Sequence, residues 1–105
     1  AYLRNHSIYT LAKEAMITLT ESLAVELAPE VTVNCVAPGQ IAESADDIAE
    51  FDASFVERAI ERTPSGRLVT RAEVARIIVG LCSSRFDMVT GVTIPVDGGW
   101  RINRF

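Results

Sequence analysis

The sequence predicts an α/β fold organised around a parallel sheet, and three observations predict it. A long amphipathic segment, 9–28, meets the apolar, β-branched run VTVNCVA at 31–37 after only Pro29 and Glu30. A helix that returns to a strand through so short a link is half of a β-α-β unit. A second helical pattern at 71–83 leads to another apolar run at 92–96, and both runs lack the polar alternation of a half-exposed strand.

Taken in order, residues 1–8 have no period and read as loop. Leu11, Ala15, Leu19, Leu23 and Leu27 then recur every four residues, and Ala12, Met16 and Ala24 widen the stripe. That predicts one helix over 9–28, stopped by Pro29 and wide enough in its apolar face to pack on two neighbours. The strand 31–36 ends at Pro38-Gly39. Residues 39–70 are the most polar stretch. Asp46 or Ser44 is expected to cap a helix over 46–62 carrying Phe51, Phe55, Val56 and Ile60, ended by the turn cluster Thr63-Pro64-Ser65-Gly66. Thr70 and Glu73 form a capping-box pattern at the head of a helix over 71–83. The strand 92–96 contains Pro95, which belongs at an edge or near a strand end, and Asp97-Gly98-Gly99 reads as a tight turn. Three helices with only two strands cannot make a doubly wound sheet, and two strands seldom stand alone, so the chain reads as part of a larger domain.

Composition narrows the function. The chain has 105 residues, with 14 acids against 10 bases and a net charge of −4. That balance argues against nucleic acid and anionic lipid as partners. No apolar run reaches the roughly 18 residues a membrane helix needs. Cys35 and Cys82 read as buried thiols in a reducing, cytoplasmic setting, and His6, the single histidine, lies near no second ligand type, so no metal is expected.

The one lysine, Lys13, falls four residues after Tyr9. At that spacing both side chains leave the same helix face, with Cβ atoms about 5–6 Å apart. The pair can be an ordinary solvated one. Its chemical reading is more specific: a phenol is a poor acid–base group near neutrality, and a neighbouring ammonium favours the phenolate form.

Tyr9-Thr-Leu-Ala-Lys13 resembles the YxxxK element of the short-chain dehydrogenase/reductase family. VTVNCVAPG at 31–39 is similar to that family's sixth strand and its Pro-Gly turn, and GVTIPVDGG at 91–99 to its last strand and C-terminal turn. The resemblance implies the C-terminal part of a Rossmann-type doubly wound parallel sheet, with the cofactor-phosphate half absent from this chain. It implies a nicotinamide-dependent oxidoreductase, leaning to NADP(H) over NAD(H), that reduces a carbonyl or a pterin-type C=N bond of a small molecule. Tyr9 would be the proton donor and Lys13 would hold the nicotinamide ribose. Pro38, Gly39 and Ile41 would line the nicotinamide, and residues 40–62 would form the substrate segment. The helix bearing Tyr9 would build the interface of a homotetramer.

Departures from the pattern carry weight. The glycine-rich phosphate turn, TGxxxGxG, does not occur in the sequence. The family's carbonyl-orienting serine would fall before Ala1, and Ser7 is too close to Tyr9 to take its place. Glu43 occupies the position of a common cofactor-binding threonine, so that either Ser44 substitutes or the cofactor contact is lost. The tail VDGGWRINRF is similar to the end of pteridine reductases, which places Arg104 at the substrate; a 3-oxoacyl-carrier-protein-reductase-like enzyme is the alternative. Trp100 is expected at a subunit interface. From another class, a non-catalytic fragment that only packs or oligomerises fits the same features. In either case the missing half, from the same parent protein or another chain, would be the partner needed for turnover.

Overall fold

The computed structural model describes residues 5–103; the candidate Arg104 lies outside the described residues. In chain order the elements are α1 (Ser7–Leu27), β1 (Cys35–Pro38), α2 (Ala42–Ala49), α3 (Phe55–Arg62), α4 (Arg71–Leu81) and β2 (Thr93–Val96). Single 3-10 turns follow α4 at Ser84–Phe86 and β2 at Trp100–Ile102. The α/β class and the parallel sheet agree with the sequence reading, and β1 and β2 are neighbours in it. Cys35 N–H donates to Val92 O (2.9 Å) and Gly39 N–H to Val96 O (3.1 Å). Both partners advance by four residues between these bonds, so the strands are parallel.

Contacts divide the chain into two compact units. One comprises the described residues up to Cys35 together with Ser84–Ile94, and so contains α1. Here the buried face of α1 is Thr20 and Ala24, with Ile17 and Leu23 half-buried, and the Thr20 hydroxyl donates to Met16 O (2.7 Å). The predicted stripe is largely uncovered: Leu11 and Leu19 are 69% and 51% exposed. They lie roughly half a turn or a quarter turn around the helix from Thr20, at about 100° per residue. The expected strand at 31–36 is also displaced. Val33 N–H donates to Thr90 Oγ1 (3.0 Å), while Asn34 Nδ2 donates to Val89 O (2.9 Å) and Asn34 Oδ1 accepts from Val92 N–H (3.3 Å). One backbone bond, from Gly91 N–H to Val33 O (2.7 Å), joins these side-chain bonds at 33–34, and the strand proper begins at Cys35. Both strands are half-buried rather than covered on two faces. Cys35 is likewise half-buried, and Cys82 is exposed, against the expectation of two buried thiols.

The second unit holds Val36–Ser83 and the residues from Pro95 on. Its core is small: Ala45, Ala59 and Leu68, with Phe55, Val56, Ile60 and Trp100 packed against them. The single helix expected over 46–62 is two helices of eight residues each. The break centres on Asp52, whose carboxylate accepts from Ser54 Oγ (3.2 Å) and pairs with Arg58, while its carbonyl accepts Phe55 N–H (3.0 Å). Asp and Ser compete with helical bonding in this way, and the competition wins where the apolar spacing is weak. Nor do Ser44 and Asp46 cap: α2 starts earlier, after Ile41, and both lie inside it. Ile41 makes a parallel bridge with Val69, and Ala42 N–H donates to Val69 O (2.8 Å). That bridge fixes where α2 can begin. The head of α4 agrees with expectation, since Glu73 N–H donates to Thr70 Oγ1 (3.2 Å) and Thr70 N–H to Glu73 Oε1 (3.0 Å). Both predicted turns, at 63–66 and 97–99, are present.

Candidate active site

Tyr9 and Lys13 stand on the first two turns of α1, whose entry is set by His6: its carbonyl accepts Thr10 N–H (2.8 Å). Helical spacing brings the pair together as expected. The Lys13 ammonium lies over the Tyr9 ring, 5.3 Å from its centroid, within reach of the ring quadrupole. The His6 ring is 6.0 Å from that of Tyr9 at an interplanar angle of 52°. Tyr9 is 63% exposed. Attraction between an ammonium and an aromatic ring weakens as water screens it. The strength of this pair is therefore decided by whether water is excluded from it.

Pro38, Gly39, Ile41 and Ser44 belong to the other unit, at the carboxyl end of β1 and the start of α2. Ligands of open α/β sheets bind outside the carboxyl ends of strands. Pro38 is exposed there. Gly39 has a packing role of its own: a Cβ at this position would lie 2.7 Å from Asp97 Cβ and 2.9 Å from Asp97 Cα. Only glycine lets the turn after β1 approach the turn after β2. The Ile41 carbonyl accepts Ala45 N–H (2.9 Å) and Gln40 Nε2 (3.3 Å), so both its lone pairs are engaged within the chain. Ser44 is half-buried in the first turn of α2.

Several residues acquire roles that local sequence did not signal. The Glu43 carboxylate accepts the Arg71 N–H (3.1 Å) at the head of α4, an anion placed at a helix N-terminus. Its departure from the family threonine thus serves the fold, through a partner 28 positions away that no local pattern could show. Arg67 makes a two-pronged bond to Glu73, 2.7 Å on each arm, and holds that carboxyl at about 2 against an ordinary 4.5, helped by the Thr70 N–H. Arg58 likewise lowers the Asp52 carboxyl below its usual value.

A cleft of about 440 Å³ opens at the carboxyl end of β2, bordered by Arg67, Glu73, Asp97 and Gly98. Its charged groups are already committed: Arg67 to Glu73, and the Asp97 carboxylate to the N–H groups of Gly99 (2.9 Å) and Arg101 (3.1 Å). For a nicotinamide dinucleotide the fit is therefore divided. An exposed ammonium beside a phenol is chemically suited to ribose hydroxyls. The lining of the cleft has no uncommitted cation, and the sequence has no glycine-rich phosphate turn. Among the described residues no group of three or more His, Cys, Asp or Glu could hold a metal ion. Among them, too, no helix is long and apolar enough to cross a membrane.

Comparison with known proteins gives a consistent result. The family model described as enoyl-(acyl carrier protein) reductase matches residues 1–101. A tropinone reductase homolog of Arabidopsis thaliana is 38% identical over 105 residues, which is 99% of this chain and 40% of that protein. L-xylulose reductase of Bos taurus is 39% identical over 99 residues, covering 93% of this chain and 41% of its own length. The crystal structure of an oxidoreductase of the short chain dehydrogenase/reductase family from Burkholderia thailandensis superposes with a TM-score of 0.85 at 29% identity. That match covers 94% of this chain and 40% of the other. The chain spans about two fifths of the length of these relatives.

Proposed function

The chain belongs to the short-chain dehydrogenase/reductase family, and we propose that it supplies the acid–base and substrate-facing half of an NAD(P)H-dependent carbonyl reductase. The observation that supports this reading is the Lys13 ammonium held over the Tyr9 ring at 5.3 Å on one face of α1. The bound dinucleotide supplies a hydride to the carbonyl carbon. Tyr9 gives its hydroxyl proton to the carbonyl oxygen, so that the product is an alcohol and the tyrosine is left as phenolate. Lys13 stabilises that phenolate, and a solvent proton restores the phenol. Lys13 also donates to the ribose hydroxyls, a task suited to a compact ammonium with three donors on a flexible stem. Pro38 and Gly39 line the nicotinamide, Ser44 replaces the threonine displaced by Glu43, and 40–62 faces the substrate. The cofactor-phosphate half comes from the remainder of the parent protein or from another chain. The uncovered apolar face of α1 packs in the completed, oligomeric enzyme.

The substrate class follows the named relatives: a sugar ketone as for L-xylulose reductase, or a bicyclic amino ketone as for tropinone reductase. A pterin remains the narrower reading from the tail that ends in Arg104-Phe105. The test is NADPH and NADH oxidation by the complete enzyme with L-xylulose, tropinone and an oxidised pterin, run beside Tyr9→Phe. Turnover with a ketone, lost by a factor of about 10²–10⁴ in the variant, is the expected outcome. Turnover that survives Tyr9→Phe would remove the proton-donor assignment.

A further inference from the structure

The substrate-facing helices have little to hold them. Helices α2 and α3 are eight residues each, too short to be stable alone, and their shared core is Ala45, Ala59 and Leu68. The largest side chain packed on that core, Trp100, comes from the tail beyond β2. Its ring lies under the Arg62 guanidinium, 4.5 Å from the ring centroid, at the last residue of α3. Three further ties join the same two segments. Asn103 Nδ2 donates to Arg62 O (2.7 Å), and Ser65 N–H and Ser65 Oγ both donate to Gly98 O (3.0 Å each). The tail is itself made rigid by the Asp97 carboxylate, which accepts from Gly99 and Arg101.

We infer that Trp100 is a positioning residue: clamped by Arg62 against the Ala45–Ala59–Leu68 core, it fastens α2 and α3 to the C-terminal tail. Its bearing on catalysis rests on the reading of 40–62 as the substrate segment. Because it packs on the helices of the substrate segment, its loss affects ketone binding more than the chemical step. This role within its own chain stands beside the one expected for Trp100 at a subunit interface.

The experiment is hydrogen exchange and steady-state kinetics of the complete enzyme carrying Trp100→Ala, Trp100→Phe or Arg62→Gln, with L-xylulose, tropinone and NADPH as probes. In Trp100→Ala, amides of 42–62 are expected to exchange roughly tenfold faster while those of α1 are unchanged. The ketone KM rises about tenfold at nearly constant kcat, and the NADPH KM, to which Ser44 on α2 contributes, rises less. Trp100→Phe restores most of both, and Arg62→Gln falls between. Unchanged exchange over 42–62 in both Trp100→Ala and Arg62→Gln overturns the inference. Faster exchange with an unmoved ketone KM overturns the positioning role while leaving the reductase reading intact. No turnover of either ketone by the parent enzyme sinks the reductase reading instead, and exchange still decides the clamp.

Discussion

Replacing Gly98 by alanine tests the packing of the second unit most directly. Gly98 has φ +60°, and an added Cβ would fall 2.8 Å from Thr63 Cγ2 and 3.1 Å from Ser65 Cβ. The left-handed backbone costs a non-glycine residue about 1–2 kcal/mol. The steric part cannot be relieved cheaply, because Thr63 is buried and its hydroxyl is pinned to Ala59 O (2.8 Å). Overpacking of this kind costs about 1–3 kcal/mol, so Gly98→Ala should destabilise by about 2–5 kcal/mol. Gly66 is the internal control, with φ +77° and nothing within 4 Å of an added Cβ; Gly66→Ala should lose only the backbone share, about 1–2 kcal/mol. The assay is urea unfolding of the complete enzyme followed by circular dichroism, with the fluorescence of Trp100, this chain's one tryptophan, as local reporter. Equal losses in the two variants would refute the argument that Thr63 and Ser65 enforce glycine at 98.

Other outcomes follow from the same contacts. Thr70→Ala removes the capping box of α4 and should cost about 1 kcal/mol, read as a urea-midpoint shift at constant slope. Glu73 has its carboxyl lowered from 4.5 to about 2 in the fold, so the stability it contributes is present above about pH 4.5 and is lost as pH falls towards 2. Glu73→Gln should flatten stability over that window and leave the slope above pH 5 unchanged, as measured by urea unfolding at stepped pH. Lys13→Met should weaken both NADPH binding and kcat of the complete enzyme, whereas Tyr9→Phe should spare binding; fluorescence titration of NADPH separates the two.

The sequence showed those features whose cause is local. Thr70 and Glu73 are three apart and cap the helix they precede, and Asp97-Gly98-Gly99 turns where it was expected to. Tyr9 and Lys13 meet because helical spacing alone brings them together. It failed where a distant partner decides. The start of α2 is set by Val69 bridging to Ile41, and at 33–34 the Asn34 and Thr90 side chains bond the opposite segment beside the backbone bond from Gly91 N–H to Val33 O. Glu43 was read as a lost cofactor contact because the helix it caps begins 28 positions later. The apolar stripe read on α1 is largely exposed among the described residues, where Thr20 and Ala24 are the buried positions of the helix.

The contact between the 63–66 turn and the tail has a consequence for recombining enzymes of this family. Thr63 and Ser65 on one side, and Gly98 on the other, meet across more than thirty positions. A crossover placed anywhere from 67 to 96 takes the two halves of that contact from different parents. Chimeras that exchange 40–66 to test its proposed substrate role should therefore carry 97–103 from the same donor, so that both sides of the contact come from one parent.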